Sequence, residues 1–171
     1  TSTQSAIRDP QSPPLEAIEL QTSSNPSGTV IWLHGLGADG YDFVPIVREL
    51  EMLGVPPVRY VFPHAPMRPV TINGGYVMRA WYDILTQDIV RREDEAGVRA
   101  SQRAVERLMR REEERGTPWH RIVLAGFSQG GAIALQTGLR LKDRIAGIIA
   151  LSTYLPLEDT LAAEAAAANK S

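Results

Sequence analysis

Residues 121–137, RIVLAGFSQGGAIALQT, constrain the chain more than any other stretch. Ile122, Val123 and Leu124 read as a buried strand, Gly126 to Gly131 as a tight turn, and Ala132 to Leu135 as the opening of a helix. A bare G-x-S-x-G carries little information. Set between a strand and a helix, it demands a turn so sharp that the serine takes a strained backbone conformation. Glycines two residues before and two after Ser128 remove side chains that would strike the neighbouring strand and helix. The turn presents the Ser128 hydroxyl at the end of its strand. It also aims the Gln129 amide and the positive end of the helix at the same point. A serine that merely capped the helix would not require glycine on both sides.

The rest of the chain supplies matching units. Leu15 to Leu20 reads as a short edge strand, and Thr29 to Leu33 (TVIWL) as a strand buried on both faces. His34 to Gly40 (HGLGADG) follows, a glycine-rich loop of the kind that carries a second oxyanion-binding amide. Asp42 to Leu53 has helical spacing, with Phe43, Ile46, Val47 and Leu50 on one face and Gly54 as its stop. Val58 to Phe62 is a further strand, and Pro63-His64-Ala65-Pro66 a rigid extended loop. Between Val70 and Trp81, Asn73-Gly74-Gly75 predicts a small hairpin. That segment either walls a substrate groove above the sheet or is a surface hairpin with buried aromatics.

Glu93 to Arg115 predicts a long helix buried along Val98, Val105, Leu108 and Met109, with an ion-paired solvated face that includes Glu106 and Arg110. Ile145 to Leu151 reads as one more buried strand, and residues 155–171 as a loop followed by an alanine-rich segment with little apolar surface to anchor it. Strands alternating with helices imply an α/β fold, a mostly parallel sheet covered on both faces. Its site is expected outside the carboxyl ends of the strands. No linker or repeat divides the chain, so 1–171 is read as a single domain with a loose tail at 1–14.

Composition narrows the chemistry. With 171 residues, 43% hydrophobic, the chain can build a core, and a net charge of −2 gives no general attraction to nucleic acid. The absence of cysteine removes disulfides, thiolate catalysis and cysteine-held zinc. No run spans a bilayer and no signal-peptide pattern opens the chain. A cytoplasmic protein without stable membrane insertion is therefore the expectation. No metal or organic cofactor is implied.

Serine needs a base to take its proton, commonly a histidine held by an acid. In enzymes with this turn the chain order is serine, acid, histidine. Here His34, His64 and His120 all precede Ser128. His120 opens the strand that ends at Ser128, and eight extended residues place it roughly 25 Å away. His64 is expected to pack or hydrogen-bond in its proline loop. His34 lies nearest the site, with a structural role favoured over that of a base.

The motifs HGLGADG at 34–40, FPHAP at 62–66, NGGYVMRAWYDI at 73–84 and AGFSQGGAIAL at 125–135 resemble the acyl-protein thioesterase/carboxylesterase (phospholipase/carboxylesterase) family of α/β hydrolases. The likeness runs from about residue 28 to residue 154. It implies an α/β-hydrolase fold and a serine hydrolase cleaving carboxylic esters or thioesters through an acyl-serine intermediate. The implied nucleophile is Ser128, and the oxyanion amides are those of Leu36 and Gln129. Trp81 would flank the acyl pocket, with His34 in contact with the site. Substrates would be small or lipid-like acyl esters, including acylated proteins for some members. A homodimer is compatible with the family, although no sequence feature calls for one. The family's downstream aspartate and histidine have no counterpart, so the expectation is a hydrolase lacking its last strand–helix units, with both residues beyond Ser171. The alternative is an inactive relative that binds acyl ligands or a partner.

Overall fold

In the computed structural model, residues 13–87 and 93–169 are described. In chain order the elements are β1 (Ala17–Gln21), β2 (Thr29–Leu33), α1 (Ile46–Met52), β3 (Arg59–Pro63), β4 (Met67–Val70), β5 (Tyr76–Arg79), α2 (Glu95–Glu114), β6 (Ile122–Phe127), α3 (Gln129–Gly138), β7 (Gly147–Leu151) and α4 (Glu158–Glu164). Five strands form the main sheet in the order β1-β3-β2-β6-β7. The last four are parallel, and β1 lies antiparallel on β3 at one edge. Strands β4 and β5 make a separate antiparallel hairpin. The expected tail at 1–14 falls mostly on residues 1–12, outside the described set.

Helices cover both faces, as the alternation implied. On one face α1 packs through Val47 onto Trp32, Tyr60, Phe62 and Ala125. On the other, α2 and α3 bury Val98, Val105, Leu108, Met109 and Ile133 against Ile31, Leu33, Val61 and Leu124. Alternate residues of one strand thus enter opposite cores, which is why β2 and β3 read as unbroken apolar runs.

Two elements differ from the sequence reading in bounds or burial. Helix α1 starts at Ile46 rather than Asp42, because Pro45 occupies the cap with φ −59° and has no N–H to continue a ladder backwards. Strand β7 is not fully buried: Ile149 is 42% and Leu151 39% exposed. It is the edge of the sheet, and only β6 pairs with it among the described residues.

The charged face of α2 is not all solvated. The expected Glu106–Arg110 pair is there at 3.9 Å, but Glu112 is fully buried. Its carboxylate accepts from Arg59 at 2.6 Å, Arg115 at 3.0 Å and Thr29 at 3.0 Å, tying α2 to β2 and β3. The alanine-rich segment is anchored by polar contacts instead of apolar ones. Glu164 of α4 accepts from Arg140 at 2.6 Å and Arg99 at 2.8 Å. These two guanidinium groups hold its carboxyl down at about 2.

The register determines what shares the carboxyl edge. Leu33 faces Gly126, and Phe127 faces Leu151. The segments that follow β2, β6 and β7 therefore begin side by side, at the edge the sequence assigned to the site.

Candidate active site

Ser128 stands between β6 and α3 at φ 53° and ψ −119°, a conformation that side-chain-bearing residues rarely adopt. The two flanking glycines explain how the chain tolerates it. A Cβ on Gly126 would lie 2.4 Å from the Gly130 carbonyl, and one on Gly130 would lie 2.2 Å from the Leu33 carbonyl oxygen. The turn is fixed from two further directions. Ser128 N–H donates to the Leu151 carbonyl at 2.9 Å, and the Ser128 carbonyl accepts from Ala132 N–H at 3.0 Å and Thr153 Oγ1 at 2.6 Å. The side chain is half-buried, and its hydroxyl makes no hydrogen bond among the described residues.

The loop from His34 to Gly40 passes beside this serine. A Cβ on Gly35 would sit 3.6 Å from Ser128 Cβ. Two histidines hold the loop. His34 is buried, with Nδ1 2.7 Å from the Gly35 carbonyl oxygen and Nε2 3.0 Å from the Ala65 amide nitrogen. That pattern requires the neutral tautomer, Nδ1–H donating and Nε2 accepting. Burial pushes its pKa below the ordinary histidine value, against the opposing pull of the Gly35 carbonyl. His64 Nδ1 accepts from the Gly40 amide at 3.0 Å. Within the loop, Gly37 N–H donates to Arg79 at 2.9 Å and Ala38 N–H to Gly35 at 3.2 Å. The amides of Leu36 and Gln129 have no acceptor among the described residues.

Trp81 and His34 are both buried, underneath the site rather than facing an open groove. Trp81 Nε1 donates to the His34 carbonyl at 2.8 Å, and its backbone N–H to Gln129 Oε1 at 2.7 Å. Gln129 Nε2 donates in turn to the Tyr82 carbonyl at 2.8 Å. One side-chain amide thus joins the serine turn to the segment after β5. The hairpin of β4 and β5 reaches the loop through Gly37, where Met78 Sδ is 3.7 Å from the place a Cβ would take.

Sequence reasoning missed three contributors. The first is the Gln129 side chain, since only its backbone amide had been considered. The second is Phe127, 38% exposed, whose ring lies against Gly35. The third is Thr153. Its signal was the third glycine of the motif: a Cβ on Gly131 would come 2.8 Å from Thr153 Cβ.

No described histidine stands ready to deprotonate Ser128. Both ring nitrogens of His34 are engaged, His64 is turned toward Gly40, and His120 lies before β6 at the opposite edge. Among the described residues, no group of three His, Asp or Glu side chains is placed to hold a metal ion, and no helix is long and apolar enough to cross a membrane.

Residues 16–171 match the phospholipase/carboxylesterase family. The chain is 39% identical over 146 residues to acyl-protein thioesterase 1 of Cryptococcus neoformans, covering 84% of this chain and 61% of that protein. It is 44% identical over 137 residues to acyl-protein thioesterase 1 of Neurospora crassa, covering 77% of this chain and 56% of the relative. Among solved structures, Arabidopsis thaliana SOBER1 superposes with a TM-score of 0.76 at 29% identity, over 82% of this chain and 68% of that one.

Proposed function

Since the chain belongs to the phospholipase/carboxylesterase family and has the α/β-hydrolase fold, we propose that it is the nucleophile-bearing part of a serine hydrolase acting on carboxylic esters or thioesters of acyl substrates. Names of the relatives favour acyl groups carried on proteins as one substrate class. One observation carries the reading. A half-buried serine at φ 53° adjoins Gln129 and lies against Gly35, and the amides of Leu36 and Gln129 serve no acceptor among the described residues.

In the proposed reaction Ser128 Oγ attacks the acyl carbonyl. The negative charge gathers on the carbonyl oxygen, where the Leu36 and Gln129 amides and the positive end of α3 stabilise it. The alcohol or thiol leaves with a proton, and water then releases the acid from Ser128. Trp81 and His34 shape the pocket from beneath by fixing the loop that carries Leu36. The proton acceptor is a group outside the described residues, since each histidine here is committed or remote. The outer edge of β7, whose Leu151 pairs with Phe127 next to Ser128, offers a route by which such a group would come alongside Ser128.

A fluorophosphonate probe tests this on the protein that contains these residues. An adduct located on Ser128 by mass spectrometry, absent from Ser128→Ala, is expected, together with loss of p-nitrophenyl ester hydrolysis in a variant that stays folded. Hydrolysis that survives Ser128→Ala overturns the assignment.

A further inference from the structure

Between the segment after β3 and helix α2 lies a cavity of about 400 Å³. Neither Leu36, Ser128 nor Gln129 lines it. Among the described residues its charged lining is unbalanced: Arg68, Arg79 and Arg107 share it with one carboxylate, that of Glu16. Among the described residues the Arg107 side chain has no hydrogen bond or ion pair, and its Nε is buried without a partner. Arg68 Nε is likewise buried and unpartnered, and the nearest carboxylate, Asp94, is 4.0 Å from Nη1. Arg79 spends one Nη1–H on the Ala65 carbonyl at 2.8 Å. Leu15, Pro66, Ala100 and Ala104 supply an apolar wall.

Three guanidinium groups gathered around one cavity repel one another, and desolvation adds to the cost. Protein interiors accept such a grouping where an anion completes it. We propose that this cavity binds a small phosphate monoester, its dianionic head on Arg68 and Arg107 and a short carbon chain against the apolar wall. A phosphate head offers three acceptor oxygens to the Nε–H groups of Arg68 and Arg107, where a monocarboxylate offers two.

The cavity shares parts with the site. Arg79 lines it, and the Arg79 carbonyl accepts from Gly37 of the loop. His64 lines it and holds Gly40, while the neighbouring Ala65 holds His34. A ligand that tightens Arg79 and His64 therefore steadies the loop bearing the Leu36 amide. This goes beyond hydrolysis and does not depend on it.

Calorimetric titration of the 171-residue chain with butyl phosphate tests the proposal without any turnover assay. Saturable binding is expected, weakened about tenfold in Arg68→Gln/Arg107→Gln. Arg48→Gln/Arg121→Gln, which removes the same charge from exposed positions, should leave it unchanged. Arg107→Gln alone breaks no hydrogen bond or ion pair among the described residues and serves if the double variant fails to fold; it should still weaken binding several-fold. Pentanoate should bind distinctly more weakly. Absence of saturation, equal loss in both double variants, pentanoate binding as tightly as butyl phosphate, or binding that appears only after residues 1–12 are removed overturns the proposal.

Discussion

At Gly130 the missing side chain is a structural requirement. The space a methyl group would occupy is taken by the carbonyl oxygens of Leu33 and His34, 2.2 and 2.4 Å away. Both belong to backbone fixed by the sheet and the His34 loop, so neither moves cheaply. Gly130→Ala should destabilise the fold by about 3 kcal/mol, lowering Tm by about 6–12 °C in a melt followed by circular dichroism. His34 leads to a second expectation. Burial lowers its pKa in the folded state below the ordinary 6.5, so near pH 6 the unfolded chain binds the proton more readily than the folded one. Stability from this residue is present above the unfolded value and drains as pH falls through it toward the folded one. Between about pH 7 and about pH 5, Tm should decline, and the decline should be shallower in His34→Gln. An equal slope in both proteins would place the pH sensitivity elsewhere.

Among the elements, what could be read from sequence was whatever depends on neighbours in the chain. The strand–turn–helix around Ser128, the glycines that permit it and the buried stripe of α2 were all local patterns. What escaped was set by partners far along the chain. Glu112 looked like one more solvated glutamate, yet its partners Arg59 and Thr29 are 53 and 83 residues away. The alanine-rich α4 looked unanchored because Arg99 and Arg140 come from other elements. Thr153 belongs to this second group. Its hydroxyl crosses from the segment after β7 to the Ser128 carbonyl, so β7 and α3 hold the nucleophile between them. Thr153→Val keeps the shape and removes that bond. It should cost about 1 kcal/mol of stability. In the proposed reaction it should also lower kcat while leaving KM near its starting value, with recovery in Thr153→Ser. A KM effect with unchanged kcat would assign Thr153 to substrate binding instead.

For the whole molecule, the sheet of the described residues ends in a charged strand on one side and an apolar strand on the other. Antiparallel β1 finishes the β3 edge, and Glu19 on it pairs with Arg111 and Arg115 of α2, a charged border of the kind that discourages further pairing. At the opposite edge β7 has no such protection. Its sequence, GIIAL, carries no charge and no proline, and Ile149 and Leu151 project apolar surface beside an edge that pairs with no other strand among the described residues. An uncharged apolar edge recruits other strands. The 171-residue chain should therefore associate as its concentration rises, seen as growing particle mass in light scattering. Ile149→Lys should suppress this by putting a charge on the edge. Val77→Lys, which removes a comparably exposed apolar group from the β4–β5 hairpin, should leave it intact. If both variants suppress association equally, general surface hydrophobicity drives it. If only Ile149→Lys does so, the strand edge beside Ser128 is the surface that accepts another strand, and the approach to the nucleophile runs along it.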